Sequence, residues 1–239
     1  MTQVSDASHS RLPLYSDPTV SLSNRGNRFL IPGAEPGWVL EAQLDTAKTP
    51  RSADTPVAVV CHPHPLHGGT FTNKVAHMVA KAFVELGAET LRFNFRGVGQ
   101  SSGAFDHGAG EICDLQAAVD WLRARHPAAP LWLAGFSFGA FVALSAQAQL
   151  KAARLLLVAP PVAMFDFPVE SGVTVPWLVI QGSVDEIVDP ALVSAWVEQQ
   201  ASAPEYRCLE GAGHFFHGRL IDLRQQICAA WAGENCPME

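Results

Sequence analysis

Short apolar runs alternate with longer amphipathic runs along most of the chain. The apolar runs lack polar alternation, which is typical of strands buried on both faces. The strands predicted in this way are residues 57–61, 90–95, 131–134, 155–159, 177–181 and 206–209. Apolar side chains at helical spacing predict helices over residues 72–86, 111–125, 140–149, 190–200 and 219–231. This alternation predicts an α/β fold with a mostly parallel central sheet and helices on both faces.

The first part of the chain does not follow this pattern. Residues 28–31 and 38–45 are predicted to be a first pair of strands, because prolines and glycines typical of a turn separate them. Residues 1–20 are predicted to be a flexible leader. Residues 21–239 are predicted to be a single domain, since 239 residues with 48% hydrophobic content suit one sizeable core.

The charge and the cysteines limit the partners and the location. Lys and Arg number 16 against 23 Asp and Glu, a net charge of −7, and no basic cluster is present. Nucleic acid and membranes are therefore not expected partners. No apolar run approaches the roughly 18 residues of a membrane span, and the N-terminus lacks the apolar core of a secretory signal. The five cysteines are scattered and never form C-x-x-C, which predicts reduced thiols and a cytoplasmic location.

The stretch 131–144, LWLAGFSFGAFVAL, contains the pattern G-x-S-x-G between a predicted strand and a predicted helix. Ser137 stands at the apex of this sharp turn, with its hydroxyl exposed. Gly135 and Gly139 remove the side chains that would clash where strand and helix cross. The helix begins beside Ser137 and points free N–H groups at the site. The pattern predicts a nucleophile, and a glycine-rich turn before a helix is the alternative.

A serine hydroxyl needs a base within hydrogen-bond reach, and the base needs an acid that fixes its tautomer. The loop after strand 177–181 offers Asp185, and the loop after strand 206–209 offers His214. Ser137, Asp185 and His214 occur in the chain order expected on an α/β sheet, each after a strand. The sequence therefore predicts a catalytic triad.

Three neighbouring residues compete for these roles. Glu186 is expected to point away from the site because it is adjacent to the predicted acid. Asp189 precedes Pro190 and is expected to cap a helix. His217 is expected to lie inside the last helix, which favours His214 as the base.

Acyl transfer also needs two N–H donors for the oxyanion. Phe138, which follows the nucleophile, is predicted to supply one of them. The second is expected from the loop HPHPLHGG after strand 57–61, in which the prolines have no N–H. His64 is the preferred donor there and Leu66 the alternative.

Two other motifs suggest ligands less strongly. His62, His64 and His67 are a conceivable zinc set, but no carboxylate or cysteine lies at ligand spacing and prolines interrupt the loop. No metal and no other cofactor is therefore predicted. The segment 96–103, RGVGQSSG, lacks the ending of a phosphate-binding loop and is expected to be a turn that places Arg96 in a buried polar network.

With these motifs the sequence resembles the α/β-hydrolase superfamily over about residues 27–232. The resemblance is carried by GFSFG, GSVDEIVDP, GAGHFFHG and NFRGVGQSSG. HPHPLHGG together with TNKV resembles a narrower bacterial group of small hydrolases near the dienelactone-hydrolase and serine-peptidase branches. The resemblance implies the following roles: nucleophile Ser137, acid Asp185, base His214, and oxyanion hole Phe138 and His64. The superfamily usually has H-G-x where this chain has His62-Pro63-His64, so the second donor departs from the family pattern.

The superfamily often carries a helical lid between its sixth and seventh strands, but the segment 160–175 is too short for one. Phe136, Met164, Phe165 and Phe167 are predicted to border a shallow acyl pocket, or alternatively to cover the core edge. The resulting prediction is a serine hydrolase that cleaves a small carboxylic ester or thioester through an acyl-enzyme. An acyltransferase or peptidase would use the same triad. A non-catalytic binding module on this fold is the alternative from another class.

Overall fold

The structure is a computed structural model that describes residues 12–16, 28–46, 52, 55–168 and 171–232. This part of the chain contains eight strands: β1 (Arg28–Pro32), β2 (Val39–Asp45), β3 (Val57–Cys61), β4 (Glu89–Phe93), β5 (Leu131–Phe136), β6 (Arg154–Val158), β7 (Trp177–Gly182) and β8 (Glu205–Leu209). Its α-helices are α1 (Lys74–Glu85), α2 (Ala109–Arg125), α3 (Phe138–Ala146), α4 (Pro190–Glu198) and α5 (Leu220–Trp231). A short 3₁₀ helix spans Pro65–His67.

The eight strands form one sheet in the order β1-β2-β4-β3-β5-β6-β7-β8. β1 pairs antiparallel with β2, and β2 with β4, while every other pair is parallel. The predicted α/β fold with a mostly parallel sheet is thus confirmed, as is the pairing of the first two strands. Because the carboxyl ends of parallel strands share one edge, the loops after β3, β5, β7 and β8 meet there.

Successive residues of the inner strands face two different core layers. In β3, Val57 and Val59 pack in the layer of α2, α3 and α4, whereas Ala58 and Val60 pack in the layer of α1 and α5. Every residue of β3, β5 and β7 is buried. This burial on both faces explains why these strands are continuous apolar runs in the sequence.

Helix starts differ from the predictions for local reasons. α1 begins at Lys74 rather than at residue 72, because the Asn73 side chain accepts hydrogen bonds from the backbone N–H groups of Val75 and Ala76. α3 begins at Phe138 rather than at residue 140, because the turn at the preceding serine leads directly into the helix.

The predicted leader, residues 1–20, lies mostly outside the described residues. Within the described stretch 12–16, the chain runs beside β1. The Leu30 N–H donates to the Pro13 carbonyl and the Tyr15 N–H donates to the Leu30 carbonyl, both at 2.8 Å. The Trp121 indole donates to the Tyr15 carbonyl at 2.7 Å. This short stretch is therefore held against the sheet edge and α2.

The connection between β6 and β7 contains neither helix nor strand in its described residues, 159–168 and 171–176. The described part of this connection is therefore irregular chain. Judged by length and hydropathy, the described helices include no candidate for a membrane span.

Candidate active site

Ser137 links β5 to α3 in a strained backbone conformation. Its φ of 54° and ψ of −122° are unfavourable for a residue with a side chain. The strained turn is held on both sides: the Ser137 N–H donates to the Val158 carbonyl at 2.9 Å, and the Ser137 carbonyl accepts from the Ala140 N–H at 2.7 Å. The turn places the serine side chain at the carboxyl edge of the sheet.

The two glycines of the elbow lie where backbones nearly touch. A Cβ added to Gly135 would lie 2.0 Å from the Gly139 carbonyl oxygen. A Cβ added to Gly139 would lie 2.5 Å from the Cys61 oxygen and 2.6 Å from the His62 oxygen, at the end of β3. Any side chain at either position would push α3 away from the sheet, so the elbow needs glycine at both.

The structure brings together the three residues predicted to form a triad. The Ser137 Oγ lies 3.1 Å from the His214 Nε2, and the His214 Nδ1 lies 2.8 Å from the Asp185 Oδ2. His214 is 2% exposed and Asp185 8%. An ionised Asp185 is acceptor only, so Nδ1 carries the proton and Nε2 can accept one from the serine hydroxyl.

Asp185 is held by four hydrogen-bond donors. Its Oδ1 accepts from the Ile187 N–H at 2.9 Å and the Val188 N–H at 2.8 Å. Its Oδ2 accepts from the Gln181 Nε2 at 2.8 Å and from His214. Burial alone would raise the Asp185 pKa, but the hydrogen bonds from His214 and the two backbone N–H groups lower it overall. The carboxylate is therefore ionised and fixed in orientation.

The three competing residues have other positions. The Asp189 Oδ1 accepts from the Ala191 N–H at 2.9 Å and caps α4, as expected. The Glu186 carboxylate accepts from the backbone N–H of His214 at 3.1 Å, so it contacts the histidine loop rather than the imidazole. His217 is exposed and lies in the turn before α5. The expectation that His217 lies inside the last helix is wrong.

The two predicted oxyanion donors are the backbone N–H of Phe138 and an N–H of the loop after β3, from either His64 or Leu66. The Phe138 N–H belongs to the first turn of α3 and has no intrahelical acceptor. The Leu66 N–H donates to the His64 Nδ1 at 3.2 Å, which occupies the alternative donor. The His64 carbonyl accepts from the N–H groups of His67 and Gly69. The His64 N–H has no hydrogen bond within the described ranges, so it is the free donor of this loop.

His62 connects this loop to the end of β4. It is fully buried, its Nδ1 lies 2.6 Å from the Pro63 carbonyl, and its Nε2 accepts from the Phe95 N–H at 3.1 Å. Burial lowers the pKa of His62 to about 4, so the ring is neutral and donates from Nδ1. Neither nitrogen is free to bind zinc beside the stacked rings of His64 and His67. No group of three metal-ligating side chains gathers anywhere in the described stretches.

Comparisons with known proteins decide the family. A family model described as serine aminopeptidase, S33, matches residues 55–172. The structure of an alpha-beta serine hydrolase homologue from Coxiella burnetii is 43% identical, covers 89% of this chain and 100% of its own, and has a TM-score of 0.82. The chain belongs to the α/β-hydrolase superfamily.

Two further relatives are similar to this α/β-hydrolase over most of its length. A Xanthomonas campestris structure, described as a member of the a/b serine hydrolases without lid, is 41% identical with a TM-score of 0.81, over 91% of this chain and 98% of that one. An uncharacterized protein of Rickettsia prowazekii is 39% identical over 186 residues, 74% of this chain and 78% of that protein. This chain is thus similar to a serine hydrolase that is described as having no lid.

Arg96 of this α/β-hydrolase lies in a buried polar network, as the sequence predicts. Its Nε and Nη2 donate to the Asp114 carboxylate at 3.0 and 2.9 Å, and its guanidinium stacks over Trp38. Burial alone would lower the Arg96 pKa, but the hydrogen bonds to Asp114 raise it. The guanidinium is engaged inside the protein. Arg96 is therefore not available to bind a phosphate in the segment 96–103.

The prediction that Phe136 borders the pocket is wrong. As the last residue of β5 it points into the layer of α1 and α5, where it is fully buried. Its ring lies 5.0 Å from the His214 ring and 6.0 Å from the Phe215 ring. Phe136 therefore supports the imidazole from behind.

Phe165 and Phe167, which are also predicted to border the pocket, pack on the opposite layer. Met164 is 55% exposed, and the half-buried Phe165 stacks on Phe141 at 5.1 Å and contacts Phe138 at 5.3 Å. Phe167 lies further along, 5.6 Å from Phe141. The aromatic side chains among these form a wall beside the elbow.

Sequence reasoning missed two members of this wall. The Phe105 ring contacts the rings of His64 at 4.8 Å and Phe138 at 5.7 Å. Phe141 lies one helical turn after Ser137 on α3. This spacing could have shown that its side chain lies on the same helix face as the serine. Phe105 comes from the loop after β4, and no local pattern indicates its contacts.

Proposed function

We propose that this α/β-hydrolase is an esterase that cleaves a small carboxylic ester or thioester through an acyl-enzyme on Ser137. The observation that carries the proposal is the continuous chain of hydrogen bonds from the Ser137 Oγ through His214 to Asp185, at 3.1 and 2.8 Å. It is the arrangement that activates a serine for nucleophilic attack.

In the first half-reaction, the His214 Nε2 takes the Ser137 proton while Oγ attacks the ester carbonyl. The tetrahedral oxyanion is bound by the N–H groups of Phe138 and His64. His214 then gives its proton to the leaving alcohol or thiol, the bond to that group breaks, and the acyl group stays on Ser137. Asp185 remains ionised and stabilises the imidazolium throughout.

In the second half-reaction, His214 takes a proton from water, and the resulting hydroxide attacks the acyl carbonyl. The same two N–H groups bind the second oxyanion. Return of the proton to the Ser137 Oγ releases the carboxylic acid and restores the free enzyme. An acyltransferase would differ only in accepting another alcohol or amine in place of water.

A second candidate, an aminopeptidase, is favoured by the description of the matching family model. An aminopeptidase must bind the α-ammonium of its substrate, which needs a free carboxylate beside the nucleophile. Asp185 has four donors, and Glu186 accepts from the His214 backbone. The wall beside the elbow consists of aromatic side chains, which suits an uncharged acyl group. The aromatic wall thus favours the ester, whereas the exposed Glu186 carboxylate, which accepts one hydrogen bond from the His214 backbone, keeps the peptide substrate as the second candidate.

A substrate panel tests the proposal. Purified protein should hydrolyse p-nitrophenyl esters and acyl thioesters of short chain, and should leave aminoacyl p-nitroanilides intact. Ser137→Ala should abolish the activity while the protein keeps its cooperative thermal unfolding. Rapid hydrolysis of the anilides with slow ester cleavage would favour the aminopeptidase. Wild-type protein inactive on every substrate class would support the binding-module alternative.

A further inference from the structure

Gln181 is a polar side chain at the end of the otherwise apolar strand β7, and it is fully buried. Its Nε2 donates to the Asp185 Oδ2 at 2.8 Å and to the Val188 carbonyl at 3.1 Å. Both partners are acceptors, so the amide can have only this orientation, with its nitrogen toward the carboxylate. Gln181 thus contacts the predicted catalytic acid from behind.

The other end of this amide is unsatisfied. The Gln181 Oε1 is buried and has no hydrogen-bond partner among the residues that the structure describes. A buried acceptor without a partner lowers stability. A methionine of similar length would avoid that loss, but it would also remove the donor to the Val188 carbonyl and one donor to the Asp185 Oδ2. The distinctive consequence of the glutamine is therefore its contact with the Asp185 carboxylate.

The Gln181 and His214 donors converge on the same carboxylate oxygen. The other oxygen of Asp185 is occupied by the N–H groups of Ile187 and Val188. A second donor on Oδ2 withdraws part of the negative charge that would otherwise stabilise a protonated imidazole. The other charged group facing His214 is Glu186, which contacts its backbone N–H.

We infer that Gln181 is a positioning residue that keeps His214 neutral, and therefore active as a base, at lower pH than the triad alone would allow. The inference rests on the proposed function, since it concerns the working range of the same base. It assigns to Gln181 a role in tuning the reaction, while Ile187 and Val188 hold the carboxylate in place.

The test is Gln181→Met, with the rate of Ser137 labelling by a fluorophosphonate measured against pH. With Gln181 gone, Oδ2 stabilises the imidazolium more strongly, so a higher pH is needed to free the base. The acid limb of the profile should move up by roughly 0.5 to 1 pH unit, a loss of about threefold to tenfold in rate on that limb. The plateau rate should change little, and the melting temperature should be no lower than that of Gln147→Met, which also replaces a buried glutamine.

Gln147→Met is the matched control, because Gln147 is also a buried glutamine but follows the end of α3. It should leave the acid limb in place. An acid limb of Gln181→Met that stays with wild type or moves down overturns the inference. So does a Gln181→Met protein that fails to fold or melts below Gln147→Met, because the glutamine would then serve the strand.

A second readout does not depend on activity. The proton between the His214 Nδ1 and the Asp185 carboxylate should give a downfield NMR resonance, and Gln181→Met should move it further downfield. An unshifted resonance would overturn the role of Gln181 even in an active enzyme. Wild-type protein that shows the resonance but never labels at Ser137 would refute the proposed function instead.

Discussion

Protonation of His62 should destabilise the fold between pH 6.5 and 4. The ring is fully buried and neutral, and its Nε2 accepts the Phe95 N–H at 3.1 Å, which a protonated ring cannot do. Burial lowers the pKa of His62 from 6.5 to about 4. Between these values the unfolded chain binds a proton that the folded protein does not, so stability rises with pH across this window.

The size of this effect follows from the two pKa values. The interval from 6.5 to about 4, at 1.36 kcal/mol per pH unit, corresponds to about 3 kcal/mol of unfolding free energy. This stability is fully present above pH 6.5 and is lost progressively as the pH falls toward 4. It is a sizeable part of the roughly 5–15 kcal/mol that stabilises a typical domain.

The assay is urea unfolding at pH 7, 6, 5 and 4, for wild type and for His62→Gln, in which the amide oxygen can accept the Phe95 N–H without titrating. Wild type should lose about 3 kcal/mol more than His62→Gln over this range. His217→Gln, which removes an exposed histidine, should follow wild type. Parallel curves for wild type and His62→Gln would refute the account of a buried neutral imidazole that links β3 to β4.

Three further predictions concern catalysis. Asp185→Asn should lower kcat by about 10⁴-fold in the ester assay. The amide has one oxygen and one NH2 group, so it cannot accept at both positions where Asp185 does, and it forces His214 into the wrong tautomer. A loss below tenfold would contradict the triad. On p-nitrophenyl esters, kcat/KM should peak at chains of roughly C2 to C6, since each methylene contributes about 0.8 kcal/mol only while Phe141, Phe165 and Phe167 cover it. A maximum at long chains, or a rate jump at the micellar limit, would mean that another segment shields the site. Activity should survive EDTA, because both ring nitrogens of His62 are engaged. Loss of stoichiometric zinc together with activity would show instead that His62, His64 and His67 bind the metal.

Local patterns allowed most of the fold to be predicted. The inner strands could be recognised because burial on both faces leaves them continuously apolar. The elbow could be recognised because only glycine tolerates the close approach at Gly135 and Gly139. Asp185 and His214 could be found from their place after strand ends, since a parallel sheet brings such loops to one edge.

The failed predictions depend on tertiary geometry. Successive side chains of β5 point to opposite faces of the sheet. Phe136 points to the layer of α1 and α5, on the face opposite the aromatic wall, and the sequence does not show which face that is. His217 falls outside α5 because Phe216 and Gly218 adopt positive φ values of 51° and 73°, which interrupt the helix. The contact of Gln181 with the acid depends on the fold of the loop after β7, which no periodicity encodes.

Labelling with a fluorophosphonate, followed by peptide mapping, tests whether Ser137 is the single nucleophile. One adduct per chain is expected, located on Ser137, with loss of esterase activity in proportion to labelling. Ser137→Ala should take up no label, while Ser183→Ala, which changes another serine of the same sheet edge, should label like wild type. An adduct on any other residue, or full activity without an adduct, would contradict the account.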